Sequence, residues 1–301
     1  MDLYLNQNGK LKEIKEKPFR LEKEIQKVFE ANLVDIMDLE FVKSEFIIKN
    51  KRIDTLAYDT QSSAFIIIEY KRDKNISVVD QGFTYLSLML ENKADFIIEY
   101  NESLKRSLKR QDVDWSQTRV AFVSPGFTEN QIQATNFKDI AIELWEVKQF
   151  ENDTIMINPI KKSNAAESIK PLTQQNQSLK KVSEEIKVYT EQDHLDRASD
   201  ITIELYEKFK FAILNLADGI SIRPLKYWIN FDKGNLTLAS LEILKRKLNI
   251  TINKKVGLLD DPKLLARDVS KIGHYGKGDY HIQVEDDLNI EYIMSLVKQV
   301  L

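Results

Sequence analysis

Apolar residues recur at helical spacing over 20–33, where Leu21, Ile25, Val28 and Phe29 share a face with Asn32. That spacing predicts an amphipathic helix. The pattern then shortens to β-like runs at 45–49 (EFIIK), 52–58 (RIDTLAY) and 64–71 (AFIIIEYK). The DTQSS stretch at 59–63 carries turn chemistry, so 45–71 reads as a small antiparallel meander. Helical spacing returns over 77–91, with Ser77 as its N-cap. After it come a strand at 95–100 (DFIIEY), a basic helix at 103–110, a strand at 118–124, a short helix near 128–136 and a strand at 140–147. Several strands are apolar on both faces, as in a sheet covered by helices. The expected fold of 1–160 is therefore α/β, a mixed sheet flanked by helices.

From 161 to 192 the chain turns to Lys, Ser, Asn, Gln and Glu, with Tyr189 its one aromatic. Residues 161–198 are read as a polar linker, helical around 178–188. A second, smaller α+β unit is expected over 199–301. It has a helix at 200–216, strands near 220–230 and 235–252, a Gly-punctuated segment at 273–278, a strand at 279–284 and a helix at 287–300.

Composition narrows the chemistry. There is no cysteine among 301 residues, which removes disulfides, thiolate metal sites and cysteine nucleophiles. That fits a cytoplasmic location. No apolar run follows the N-terminus, so no secretory leader is expected, and no run is long enough to span a membrane. The formal charge of −3 means that any nucleic-acid surface must be local.

One constellation carries chemistry. Side chains alternate along a strand, so Glu69 and Lys71 share a face with Phe65 and Ile67, while Tyr70 joins Ala64, Ile66 and Ile68. Asp54, in Ile53-Asp54-Thr55-Leu56, can reach the same patch from the partner strand. Two converging carboxylates are costly unless a cation joins them, and Mg²⁺ (or Mn²⁺) suits carboxylate oxygens. Asp, Glu and Lys around such a metal are a minimal kit for phosphodiester hydrolysis. Glu-x-Lys alone is uninformative, since it also occurs at Glu13, Glu91, Glu146 and Glu185. Only the one at Glu69 ends a β-branched strand, follows an upstream Asp on a hairpin partner and precedes a helix. The plain alternative is a solvated Glu–Lys pair at a strand end.

The following helix holds Gln81 and Tyr85, four apart and on one side. An Asp, then Glu-x-Lys, then Gln-x-x-x-Tyr resembles the PD-(D/E)XK nuclease superfamily, in its RecB-like branch, over about residues 20–147. The resemblance implies a restriction-endonuclease-like fold. It implies Asp54 and Glu69 as metal ligands, Lys71 as the catalytic assistant, and Gln81 and Tyr85 as residues that arrange the site. A first-helix glutamate sometimes completes the metal shell, and Glu24 is the candidate. The sequence departs from the pattern in having Ile53 where a proline precedes the aspartate. The implied activity is metal-dependent nuclease, on DNA first. A homodimer stays open. The alternative is a catalytically weak nucleic-acid-binding or protein-interaction module on the same fold.

Leu104 to Arg110 repeats Leu-Lys-Arg at spacing four. On a helix this pairs Lys105 with Lys109 and Arg106 with Arg110, a candidate phosphate-contact surface beside the alternative of a solvated face. Trp115 and Trp145 are read as core. In the second unit, Gly273, Gly276 and Gly278 match no P-loop or dinucleotide fingerprint, and His274 lacks a partner pattern. That unit resembles a bacterial C-terminal domain of unknown function once labelled a predicted transport protein, and a recognition or partner-binding role is expected.

Overall fold

The structure, a computed structural model, describes residues 2–72, 77–163, 165–173, 177–273 and 276–301. The chain forms two compact units, Met1–Val188 and Tyr189–Leu301.

The first unit opens with a hairpin of β1 (Leu3–Gln7) and β2 (Lys10–Ile14). Helices α1 (Glu22–Ala31) and α2 (Leu33–Met37) follow, then the strands β3 (Glu40–Ile48), β4 (Lys51–Asp59) and β5 (Ala64–Tyr70). Next come α3 (Val78–Glu91), α4 (Lys93–Leu104), β6 (Arg119–Ser124), α5 (Glu129–Thr135), β7 (Ile142–Gln149) and β8 (Ile155–Ile160). Helices α6 (Lys170–Thr173) and α7 (Gln177–Glu185) close the unit. The six strands lie in the order β3-β4-β5-β6-β7-β8. The β3–β4–β5 meander is antiparallel, β5, β6 and β7 are parallel, and β8 returns antiparallel.

Alternation along β5 splits the core as the sequence implies. Phe65 and Ile67 pack with Phe83, Leu86 and Phe96 on one face, while Ile66, Ile68 and Tyr70 pack with Ile25 and Phe29 of α1 on the other. Helix α3 lies close over the parallel strands, because Gly82 has no side chain. A Cβ there would stand 2.5 Å from Ile142 Cδ1.

Three expectations are corrected. Residues 95–100 are helical, within α4, because Phe96 and Tyr100, one turn apart, bury beside Phe46, Tyr58 and Phe65. Tertiary packing overrides the β-preference of Ile97 and Ile98. The basic run is not a helix. Lys105 ends α4 in the left-handed region (φ 53°), and the Asn101 side chain folds the chain back through Leu108 N–H (2.6 Å) and Leu108 O (3.1 Å). The expected linker over 161–198 is divided between the two units at Val188 and Tyr189, and its described residues before that point belong to the first unit. Ile169, Val182 and Ile186 bury in the first unit's core, and Asp139 accepts the Ile169 N–H at 2.7 Å. Their polar composition reflects the outer face of an amphipathic segment.

The second unit contains α8 (Glu191–Leu195), α9 (Asp200–Leu214), β9 (Ile220–Pro224), β10 (Ile229–Lys233), β11 (Leu236–Ile243) and β12 (Leu248–Ile252). It ends with β13 (Arg267–Asp268), β14 (Tyr280–Val284) and α10 (Ile290–Lys298). Its sheet, in the order β13-β14-β12-β11-β10-β9, is antiparallel throughout. Phe209 and Ile213 of α9 and Leu296 and Val297 of α10 share its core with Ile229, Leu241 and Ile250. In the Gly-punctuated segment, Gly278 serves close backbone approach. Gly278 (φ 113°) passes so near β12 that a Cβ would meet Ile252 O at 2.0 Å. His274 lies outside the described residues. No helix among the described residues is long and apolar enough to cross a membrane.

Candidate active site

Register brings the acidic residues together. Thr55 opposite Ile68 and Leu56 opposite Ile67 set Asp54 opposite Glu69 across β4 and β5. The Asp54 N–H donates to Glu69 Oε1 at 3.3 Å, and the Tyr70 N–H donates to Asp54 Oδ2 at 3.1 Å. Lys71 Nζ donates to Glu69 Oε2 at 3.3 Å. Its own backbone N–H is anchored on Val123 O of β6 at 2.8 Å. Asp54, Glu69 and Lys71 are thus held at the end of a buried strand, with Glu69 only 2% exposed.

The electrostatics follow from that burial. Desolvation, then the Asp54 charge, pushes the Glu69 carboxyl up to about 7, with Lys71 pulling the other way. Burial likewise raises Asp54 above its ordinary value, against the Tyr70 N–H and Lys71. One ammonium does not balance two desolvated carboxylates.

Helix α3 supplies the far wall. Burial raises the Tyr85 phenol, and the Glu69 charge adds to the effect. Its hydroxyl donates to Arg52 O at 3.3 Å. Gln81 Oε1 is buried without a hydrogen-bond partner. Such an acceptor is costly unless something donates to it or binds it. Ser77 occupies the N-cap position, yet its hydroxyl goes to the Asp80 carboxylate at 2.5 Å instead of a backbone N–H.

Several positions read from sequence do not join this group. Glu24 Oε2 accepts the Arg20 N–H at 2.8 Å, closing the first turn of α1. Among the described residues no set of three or more acidic, His or Cys side chains is placed to hold a metal, so Glu24 does not complete a shell with Asp54 and Glu69. Arg106 forms a bidentate pair with Glu40 (2.7 and 3.0 Å) and touches Tyr100. Lys105, Lys109 and Arg110 are exposed on a chain that no longer shares a helical face. Trp115 and Trp145 are buried, as expected.

Other residues around the site escaped the sequence. Gln26 of α1, 3% exposed, donates to Asp54 O at 2.8 Å, to Ser44 Oγ at 3.1 Å and to Glu30 Oε1 at 2.8 Å. Glu30 also accepts from Thr55 Oγ1 at 2.6 Å, and Thr55 reaches the Tyr70 hydroxyl at 3.2 Å. This network fixes the backbone of Asp54 from behind. Its signal was a glutamine set between Ile25 and Phe29, on the buried side of α1. Glu22 rather than Glu24 is the α1 carboxylate whose charge bears on Asp54.

Over 301 residues the chain is 52% identical to an uncharacterized protein of Haemophilus influenzae, spanning 100% of this chain and 99% of that one. It belongs to that protein's family. No family model matches the sequence. Among solved structures it is similar to EndoMS in a complex with double-stranded DNA (TM-score 0.30, 16% identity, 43% of this chain and 47% of that one). It is also similar to a repair endonuclease from Pyrococcus abyssi (TM-score 0.26, 16% identity, 44% and 50%). A third is Pyrococcus furiosus SfsA in complex with Ca²⁺ (TM-score 0.25, 13% identity, 46% and 62%). The matched part spans about half of each endonuclease chain, and likeness this partial decides nothing about chemistry.

Proposed function

We propose that the first unit is a metal-dependent nuclease of the PD-(D/E)XK type that hydrolyses phosphodiester bonds in DNA, in the cytoplasm. The second unit would serve recognition or interaction. The observation that carries this reading is the pair of the buried Glu69 and the half-buried Asp54, opposed across two strands, with Lys71 the one cation in hydrogen-bond contact among the described residues.

The residues fit a hard divalent cation. Both carboxyls are raised by burial, so the site favours anything that restores positive charge. The unpartnered Gln81 Oε1 offers a further oxygen on the opposite wall. Asp54 and Glu69 would hold Mg²⁺ or Mn²⁺, which polarises a phosphate oxygen and makes a water more acidic. The chain does the rest. Lys71 Nζ, tethered to Glu69 Oε2, donates to the phosphate oxygens on which charge develops. Gln81 Oε1 accepts from the attacking water and orients it. Tyr85 fixes the backbone of Arg52 at the rim.

The test is cleavage of plasmid, linear and single-stranded DNA and of RNA, with Mg²⁺, Mn²⁺ or EDTA, by wild type and Glu69→Ala. Metal-dependent cutting lost in the variant supports the proposal. Wild-type protein that binds these substrates but cuts none would replace it with a binding module on the same fold.

A further inference from the structure

The carboxylate row extends one strand further than the site requires. Ser44 opposite Thr55 and Phe46 opposite Ile53 set Glu45 of β3 opposite Asp54, on the side away from Glu69. Glu45 has a left-handed backbone (φ 54°), unusual for glutamate and strained wherever glycine does not occupy it. Its charge also makes ionisation of Asp54 harder. Both are costs. What Glu45 gains is two cations, Lys23 Nζ of α1, hydrogen-bonded to Oε1 at 2.6 Å, and Arg52 Nε of β4, an ion pair 2.9 Å from Oε2 without hydrogen-bond alignment. Both are well exposed, and exposed ion pairs contribute little to stability, so the arrangement is poorly explained as a structural device.

We infer that Glu45 is a positioning residue that holds Lys23 and Arg52 at the rim of the Asp54–Glu69 site, where the two cations bind the phosphates flanking the one that is cut. This deepens the nuclease reading and rests on it. Arg52 is fixed at both ends. Tyr85 of the catalytic wall donates to its carbonyl at 3.3 Å, and the Glu45 carboxylate draws its Nε to 2.9 Å by charge. The guanidinium nitrogens beyond Nε remain to grip a phosphate with a planar fork. Lys23 stands one turn before Lys27 and three residues from Gln26, the residue that anchors the Asp54 carbonyl. Its ammonium has two donors beyond the one given to Glu45. By engaging both cations, Glu45 also keeps them from collapsing onto Asp54, where they would compete with a metal for the carboxylate.

The test uses the full chain and a short duplex DNA, measuring Kd against salt in EDTA and steady-state cleavage in Mg²⁺. The proteins are wild type, Arg52→Ala, Arg52→Lys and Glu45→Gly. Arg52→Ala should weaken binding by roughly tenfold at low salt and flatten the slope of log Kd against log salt by about one. It should raise KM far more than it lowers kcat. Arg52→Lys should recover the slope. Glu45→Gly accommodates the left-handed backbone, so it should keep its melting temperature yet show the same binding defect. Were Arg52→Ala to unfold, Glu45→Gly would carry the comparison. Wild-type slopes and KM in both variants overturn the inference, as does a wild-type protein that binds no duplex. Metal-dependent cleavage that Glu69→Ala abolishes, beside unchanged slopes in the rim variants, would sink this inference and leave the nuclease reading standing. Flattened slopes beside a wild-type protein that never cuts would do the reverse.

Discussion

Asp54 and Glu69 stand opposite each other across β4 and β5, and the backbone N–H of the first donates to the carboxylate of the second at 3.3 Å. The fold therefore presses together two acids that electrostatics would separate, and most predictions follow from that tension.

The first concerns pH and stability without metal. Glu69 titrates at about 7 in the folded protein against 4.5 ordinarily, and it is 2% exposed, so solvent screens it little. The folded state holds this proton more tightly than the unfolded chain does. Its stabilising contribution is complete below about 4.5 and is lost as pH rises through about 7. At roughly 1.4 kcal/mol per pH unit between those values, the loss is on the order of 3–4 kcal/mol. Asp54, also raised, acts in the same direction. Glu69→Gln, which cannot ionise, should melt above wild type at pH 8 and near it at pH 4.5 in EDTA. Equal melting differences at both values would show that Glu69 is not desolvated as described.

Metal should reverse the tension. A cation bound at a hundred times its Kd stabilises the folded state by about 2.7 kcal/mol. Mg²⁺ or Mn²⁺ at pH 8 should raise the melting temperature of wild type, and do so much less in Glu69→Gln and Asp54→Asn. A shift of the same size in the variants would place the cation elsewhere.

How much of this was legible depended on the range of the interactions. Alternation along β5 sorted Phe65, Ile67 and Glu69 from Ile66, Ile68 and Tyr70, because strand period is a local property. The hairpin brought Asp54 to Glu69 for the same reason. Ile97 and Ile98 suggested a strand, but Phe96 and Tyr100 were claimed by an aromatic cluster from β3, β4 and β5, which no local window contains. The basic run lost its helix to a left-handed Lys105 and to the Asn101 side chain, details of one turn. Glu45 was invisible for a similar reason, since its place beside Asp54 depends on the register of β3. The Glu24 expectation failed by a short step along one helix. Glu22 bears on Asp54, while Glu24 turns back to the Arg20 N–H.

Lys71 should separate chemistry from binding. Its ammonium touches Glu69 Oε2 and the side chain is only 14% exposed, so it faces that carboxylate and not the wider surface. Removing a preorganised donor to developing charge typically costs about 10²–10³ in rate. Lys71→Ala should lose that much in single-turnover cleavage while binding duplex DNA close to wild type in EDTA. A loss below about tenfold would assign Lys71 a structural part, balancing Glu69, and leave the donor role to another group.

The last prediction tests where the first unit ends. Ile169, Val182 and Ile186 are 8%, 3% and 6% exposed in its core. Lys93 pairs with Glu185 at 2.6 Å, and Lys187 N–H donates to Ser116 O at 3.2 Å. Burying each aliphatic side chain contributes about 1.5–3 kcal/mol, so removing all three costs roughly 4.5–9 kcal/mol. That is comparable with the whole stability of an ordinary domain, about 5–15 kcal/mol. Helix α7 lies against α3, so the loss also uncovers the helix that carries Gln81 and Tyr85. A fragment of residues 1–160 should therefore lack a cooperative thermal transition and should not cut, whereas residues 1–188 should melt cooperatively and keep metal-dependent cleavage. Cooperative melting of 1–160 at the temperature of 1–188 would mean that the segment decorates the domain without supporting it, and the buried isoleucines would need another account.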